Sequence, residues 1–206
     1  MSGCTIVDYG MGNAGSILNM LKRIGMAARV SSNAAEIAES ERLILPGVGA
    51  FDTGMQHLRE SGLIDVLNRK VLEERVPTLG ICLGMQLLMR SSQEGREPGL
   101  GWIPGATVGF PANGLGELKV PHMGWNTVLV CRNNSLFRGL EQGARFYFVH
   151  SYYVSCDRDE DVLAWTTHGV RFASSVQQGN IVGTQFHPEK SHRFGMHLLK
   201  NFIDTV

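Results

Sequence analysis

Apolar positions in the N-terminal half of the chain fall into two alternating patterns. Short runs of strand length, Thr5–Asp8, Arg42–Leu45 and Pro77–Ile81, are nearly continuously apolar and predict strands buried on both faces. Ala28–Asn33 reads as a further strand, and Pro46-Gly47 marks the stop of the strand that begins at Arg42. Between the runs the spacing changes to that of a helix. Ser16–Ile24 carries Ile17, Leu18, Leu21 and Ile24 on one face. Asp52 is placed to cap a helix running to Glu60, and Leu63–Glu74 predicts another after Ser61-Gly62. Leu83–Met89 reads as the start of a helix directly after a strand.

The second half is patterned differently. Ser92–Gly116 is rich in Gly, Pro and Ser, and strand-like runs follow at Thr127–Val130, Phe146–Val149, Val162–Thr166, Ala173–Gln177 and Ile181–Phe186. Gln178-Gly179-Asn180 between the last two is a hairpin turn signal. Phe194, Leu198, Leu199 and Phe202 place a closing helix over Phe194–Ile203. The expected fold is therefore α/β: a mostly parallel central sheet flanked by helices, with an antiparallel-rich second half. The length of 206 residues fits a single domain, 1–206.

Composition narrows the function. Nineteen Lys+Arg against nineteen Asp+Glu give zero net charge, with no basic excess for nucleic acid or an anionic membrane. Glycine, 25 residues or about 12% against an average near 7%, predicts tight turns and close backbone approaches. The start, Met1-Ser2-Gly3-Cys4-Thr5-Ile6-Val7-Asp8, lacks the basic region of a signal peptide. The charge-free stretch Gly99–Gly116 is broken by Pro104 and Pro111, which argues against a membrane helix. Cys4, Cys82, Cys131 and Cys156 show no metal-binding or redox spacing, so a reducing cytoplasm is expected.

Two segments suggest chemistry. Gly10-Met11-Gly12-Asn13-Ala14-Gly15 has the form of a dinucleotide fingerprint, but the next strand, Ala28–Asn33, ends without the acid that would hold a ribose. A tight strand-to-helix turn is the better reading. Gly80-Ile81-Cys82-Leu83-Gly84 is the cysteine form of a nucleophile elbow, with glycines where side chains would clash in a sharp turn. Cys82 then sits at a helix N-terminus, which favours a thiolate. Among seven histidines, His187 follows the strand Ile181–Phe186, at the same sheet edge as Cys82 in a parallel arrangement. Glu189, two residues on, can fix the imidazole tautomer. A metal at His187 and His192 is disfavoured by the Pro-containing loop between them and by the absence of a helical ligand pair.

Gly80-Ile81-Cys82-Leu83-Gly84-Met85-Gln86 together with His187-Pro188-Glu189 resembles the class I (triad) glutamine amidotransferases over essentially the whole chain. Pro46–Phe51, Pro121–Asn126, Tyr147–Tyr152, His187–Ser191 and Asp8–Asn13 are similar to the branch that serves as glutaminase subunit of imidazole glycerol phosphate synthase. The resemblance implies that Cys82 attacks the glutamine carboxamide, His187 carries the proton and Glu189 orients His187. It also implies oxyanion donors at Leu83 and at Val48 or Gly49, and glutamine contacts from Gln86, Ser151 and Tyr152. No cofactor and no metal are implied. The partner implied is a (βα)8-barrel synthase subunit (HisF-like) in a heterodimer, met by Trp125, Asn126, Tyr147 and Lys190. Three alternatives stand beside this: an ammonia-supplying paralogue for acetamidino-sugar synthesis, suggested by Gly15–Lys22; a catalytically idle regulatory subunit; and a stand-alone cysteine hydrolase of the DJ-1 type.

Overall fold

The computed structural model describes residues 3–111, 118–140 and 142–205. Its strands are β1 (Cys4–Val7), β2 (Ala28–Ser31), β3 (Arg42–Gly47), β4 (Thr78–Cys82), β5 (Ser91–Ser92), β6 (Gly105–Gly109), β7 (His122–Thr127), β8 (Leu129–Val130), β9 (Arg145–His150), β10 (Tyr152–Cys156), β11 (Val162–His168), β12 (Val170–Gln178) and β13 (Ile181–Thr184). Its helices are α1 (Ala14–Arg23), α2 (Ala34–Ala38), α3 (Phe51–Glu60), α4 (Ile64–Asn68), α5 (Leu83–Leu87) and α6 (His192–Thr205).

One large sheet runs in the order β2-β1-β3-β4-β13-β12-β10-β6-β5. Its first five strands are mutually parallel, and β12 turns antiparallel through the hairpin predicted at Gly179-Asn180. A separate antiparallel ribbon joins β7 to β9. Alternation along the strands sends side chains into two cores. Leu43 and Leu45 pack on the side of α3, α4 and α5, while Ile44, Leu79 and Ile81 pack on the side of α1 and α6. Each fully buried Leu or Ile contributes about 1.5–3 kcal/mol by leaving water. The expected α/β class with an antiparallel second half is the class observed.

Several local expectations are corrected. Pro46-Gly47 does not stop β3, which continues to Gly47 beside Cys82 of β4. The pairing with β1 ends at Ile44, so the proline sits beyond the part of β3 that is hydrogen-bonded on both sides. Asp52 does not cap α3. Its carboxylate accepts the backbone N–H groups of Arg96 and Glu97, and the N–H of Phe51 is met instead by Glu94 Oε2 at 2.9 Å. The predicted helix Leu63–Glu74 is α4 followed by a wider π-type turn over Arg69–Glu73, closed by Glu74 N–H to Arg69 O. The predicted helix Leu83–Met89 is regular only to Leu87. The strand expected at Thr127–Val130 is β7 and β8, broken at the buried Val128. Helix α2, capped by Asn33 Oδ1, and strands β6 and β10 were not predicted. The last residues of the Gly/Pro/Ser-rich stretch, 112–116, lie outside the described residues. Among the described residues no helix is long and apolar enough to cross a membrane.

Candidate active site

β4 and β13 are adjacent and parallel, with Gly183 opposite Gly80 and Thr184 opposite Ile81. Their carboxyl ends therefore deliver Cys82 and, three residues past β13, His187 to one edge of the sheet. Cys82 has φ 55° and ψ −111°, a conformation that an L-residue holds only when its surroundings enforce it. The enforcement is close packing. A Cβ on Gly84 would lie 1.9 Å from the carbonyl oxygen of Leu45, and one on Gly80 would lie 2.8 Å from Gly84 O. Only glycine lets α5 fold back against β3 at this distance.

His187 is held by backbone and side-chain bonds. Its N–H donates to Tyr147 O at 2.9 Å and its carbonyl accepts from Ser191 Oγ at 2.6 Å. Nδ1 lies 2.7 Å from Glu189 Oε1, and both side chains are almost fully buried. The carboxylate accepts from Nδ1–H, which leaves Nε2 as the atom that answers Cys82. Nε2 is buried and has no hydrogen-bond partner among the described residues. Burial alone would lower the imidazole pKa, but the Cys82 sulfur and the Glu189 carboxylate outweigh it and raise the pKa to about 9. The ring is therefore a protonated donor at neutral pH when the sulfur carries charge.

Cys82 opens into a cavity of about 260 Å³, lined by Val48, Gly49, Leu83, Gln86, Glu94, His150, Ser151 and Tyr152 among others. The residues expected around an oxyanion and a glutamine thus share one cavity with the cysteine. Leu83 is the first residue of α5, so its N–H has no intrahelical acceptor. Gln86 is buried rather than a surface amide: its Nε2 donates to Tyr152 O at 2.9 Å and to Gln185 Oε1 at 3.2 Å.

A buried polar chain extends from the cavity into the ribbon. His150 Nδ1 lies 2.8 Å from Tyr152 O and must donate. His150 Nε2 then accepts from His122 Nδ1 at 2.9 Å, and His122 Nε2 accepts from Asn126 Nδ2 at 3.1 Å. Burial lowers the pKa of His150 to about 3 and that of His122 to about 4, with neighbouring histidines adding to both shifts. Both rings are neutral at neutral pH.

Of the residues expected to meet a partner, Trp125 is 39% exposed and Lys190 is exposed, with its Nζ 5.7 Å above the Tyr147 ring. Trp125 stacks on His192 at 5.3 Å. Asn126 is engaged inward, through His122 and through Thr167 O at 2.9 Å. The site also contains Gln185, whose Nε2 lies 3.8 Å from Cys82 Sγ, and Tyr9, whose hydroxyl donates to Pro46 O at 2.6 Å. Neither stood out in the sequence. Gln185 had one signal: it lies two residues before His187, just past the end of β13.

A buried cysteine at a strained elbow, coupled to a carboxylate-backed histidine in an α/β sheet, has the parts of a nucleophilic, cysteine-based site. The family model for glutamine amidotransferase class-I matches residues 5–206, and the chain belongs to that family. Within it, the chain is 53% identical over 198 residues to imidazole glycerol phosphate synthase subunit HisH 2 of Methanococcus maripaludis, covering 96% of this chain and 97% of that one. It is 50% identical over 201 residues to the protein of the same name from Pseudomonas aeruginosa, covering 98% of each. Among solved structures, a chain of PurLQS from Thermotoga maritima superposes with a TM-score of 0.74 at 20% identity, over 98% of this chain and 97% of that one. The last likeness concerns the fold alone.

Proposed function

We propose that the chain is the glutaminase subunit of an imidazole glycerol phosphate synthase, hydrolysing glutamine to glutamate and ammonia. The observation that carries this is Cys82 in the lining of one cavity with the buried, Glu189-backed His187 coupled to its sulfur, in a chain about half identical to HisH proteins over 96% to 98% of its length. Cys82 Sγ attacks the carboxamide carbon, forming a C–S bond while the carbonyl electrons move onto oxygen. The N–H groups of Leu83 and of Val48 or Gly49 meet that oxyanion. The C–N bond then breaks, and the proton from His187 leaves with nitrogen as ammonia. Water, deprotonated by His187, attacks the thioester; the C–S bond breaks, glutamate departs and the thiolate returns. Glu189 keeps His187 in the tautomer that presents Nε2. Gln86 and the Ser151-Tyr152 backbone form the glutamine-binding wall.

The partner in this reading is a (βα)8-barrel synthase subunit of the HisF type, which takes up the ammonia and releases imidazole glycerol phosphate and AICAR. Trp125, Tyr147 and Lys190 present an aromatic and cationic surface suited to such a partner. The test is covalent. An electrophilic glutamine analogue added to the complex labels Cys82, and Cys82→Ala abolishes glutamine-dependent synthesis while ammonium-dependent synthesis persists. Absence of labelling with partner and acceptor bound, or loss of both activities in Cys82→Ala, overturns the reading.

A further inference from the structure

We infer that Gln185 is the fixed neutral donor that holds the Cys82 sulfur as a thiolate and aims it into the cavity. The inference rests on Cys82 being the nucleophile proposed above. It begins with the orientation of two buried amides. The Tyr152 carbonyl can only accept, so Gln86 must turn its NH2 toward it, at 2.9 Å. The same NH2 lies 3.2 Å from Gln185, which therefore presents its oxygen to Gln86. That leaves the NH2 of Gln185 facing Cys82 Sγ, at 3.8 Å, within reach of a sulfur acceptor. Gln185 is completely buried, and its backbone N–H is tied to Ser174 O at 2.9 Å, so the amide has little freedom to turn away.

The chemistry gives such a donor a role. His187 gives its proton to the departing ammonia, is neutral when water attacks the thioester, and is recharged by the proton it takes from that water. When the C–S bond then breaks, the electron pair lands on sulfur, and the Gln185 NH2 is a donor present throughout, whatever the protonation state of His187. The Tyr9 hydroxyl, also near the elbow, is committed to Pro46 O at 2.6 Å. Helix α5 spans only Leu83–Leu87, so few peptide dipoles are aligned behind the sulfur.

The test is the pH profile of Cys82 alkylation by iodoacetamide in the full-length chain, read at the Cys82 peptide by mass spectrometry because Cys131 is exposed. The titratable groups around the sulfur are His187 with Glu189 behind it, Tyr9 from the N-terminal loop, His150 from β9 and Glu94 across the cavity; all remain in place. Gln185→Met keeps the length and removes the donor. Its alkylation midpoint rises by about one pH unit, which slows labelling about tenfold at pH values below the wild-type midpoint. Gln185→Glu, which places a carboxylate oxygen against the sulfur, raises the midpoint further and serves if the methionine variant fails to fold. A wild-type midpoint in both variants overturns the inference while glutamine-analogue labelling of the wild type leaves the glutaminase reading standing. A wild type that takes neither reagent at Cys82 overturns both.

Discussion

Acid stability of the chain should depend on the buried histidine pair, and His150→Asn isolates its share. His150 titrates near its ordinary value of about 6.5 when unfolded and near about 3 when folded. Its folded pKa is depressed, so the stability it protects is present above about pH 6.5 and lost as pH falls below that. In this window the unfolded chain binds a proton at the position and the folded chain does not. The loss is about 1.4 kcal/mol per pH unit, or about 2 kcal/mol between pH 6.5 and pH 5. His187 adds nothing to this difference, because its raised pKa leaves it protonated in both states below its ordinary value. His122 contributes a similar slope, common to both proteins.

The variant has a distinct signature. Asn Nδ2 can keep the donation that His150 Nδ1 makes to Tyr152 O, but it leaves the His122 Nδ1–H without its acceptor. An orphaned buried donor costs about 1–3 kcal/mol, so His150→Asn is the less stable protein at neutral pH. On acidification it loses about 2 kcal/mol less than the wild type, and the gap between them narrows or closes near about pH 5. Urea unfolding followed by the fluorescence of the three tryptophans, at about pH 7 and about pH 5, measures both quantities. Parallel losses in the two proteins would refute the assignment of a neutral, proton-excluding His150.

Two further outcomes follow from the geometry. Gly84→Ala puts a methyl 1.9 Å from Leu45 O, an overlap relieved only by separating α5 from β3; a loss above about 4 kcal/mol is expected in urea unfolding, and a variant of wild-type stability would contradict the packing. Trp125→Ala removes a half-exposed aromatic from the proposed partner face, so calorimetric titration with the barrel subunit should show binding weakened about 30-fold, near 2 kcal/mol, at an unchanged melting temperature. Unchanged affinity would move the interface elsewhere.

The legible parts of the sequence were those where one local rule acts alone. The elbow could be read because its glycines bracket Cys82 at a fixed local spacing, although Gly84 is required by Leu45 O on β3, and His187 because it follows a strand closely and stands beside Glu189. What escaped depends on register between distant strands. β6 and β10 pair residue for residue, Tyr152 with Gly109 and Cys156 with Gly105, yet each is short and poor in apolar alternation. His122 and His150 meet because β7 and β9 pair them directly across the ribbon, and no spacing along the chain announces that pairing. Asp52 looked like a helix cap because a cap is a local rule. Here the nonlocal partner won, with Glu94 reaching back from beyond β5 to the start of α3.

The N-terminal glycine turn shows how a misleading motif and a useful one can be built from the same physics. Gly10 and Gly12 both have positive φ, 82° and 95°, a backbone conformation that favours glycine in the turn after β1. What approaches the bare backbone is another loop rather than a ligand: a Cβ on Gly12 would lie 3.1 Å from Gly47 N and from Pro46 Cβ. Tyr9, between the acid and the first glycine, adds its hydroxyl to Pro46 O at 2.6 Å. The turn thus braces the end of β3 from behind, one residue before Val48 enters the cavity. Fixing the chain up to Gly47 confines any rotation of the proposed oxyanion segment to the Val48-Gly49 peptide, where Gly49 already holds φ 120°. Gly10, Gly12, Gly47, Gly49, Gly80 and Gly84 together bring three loops to the same edge of one parallel sheet.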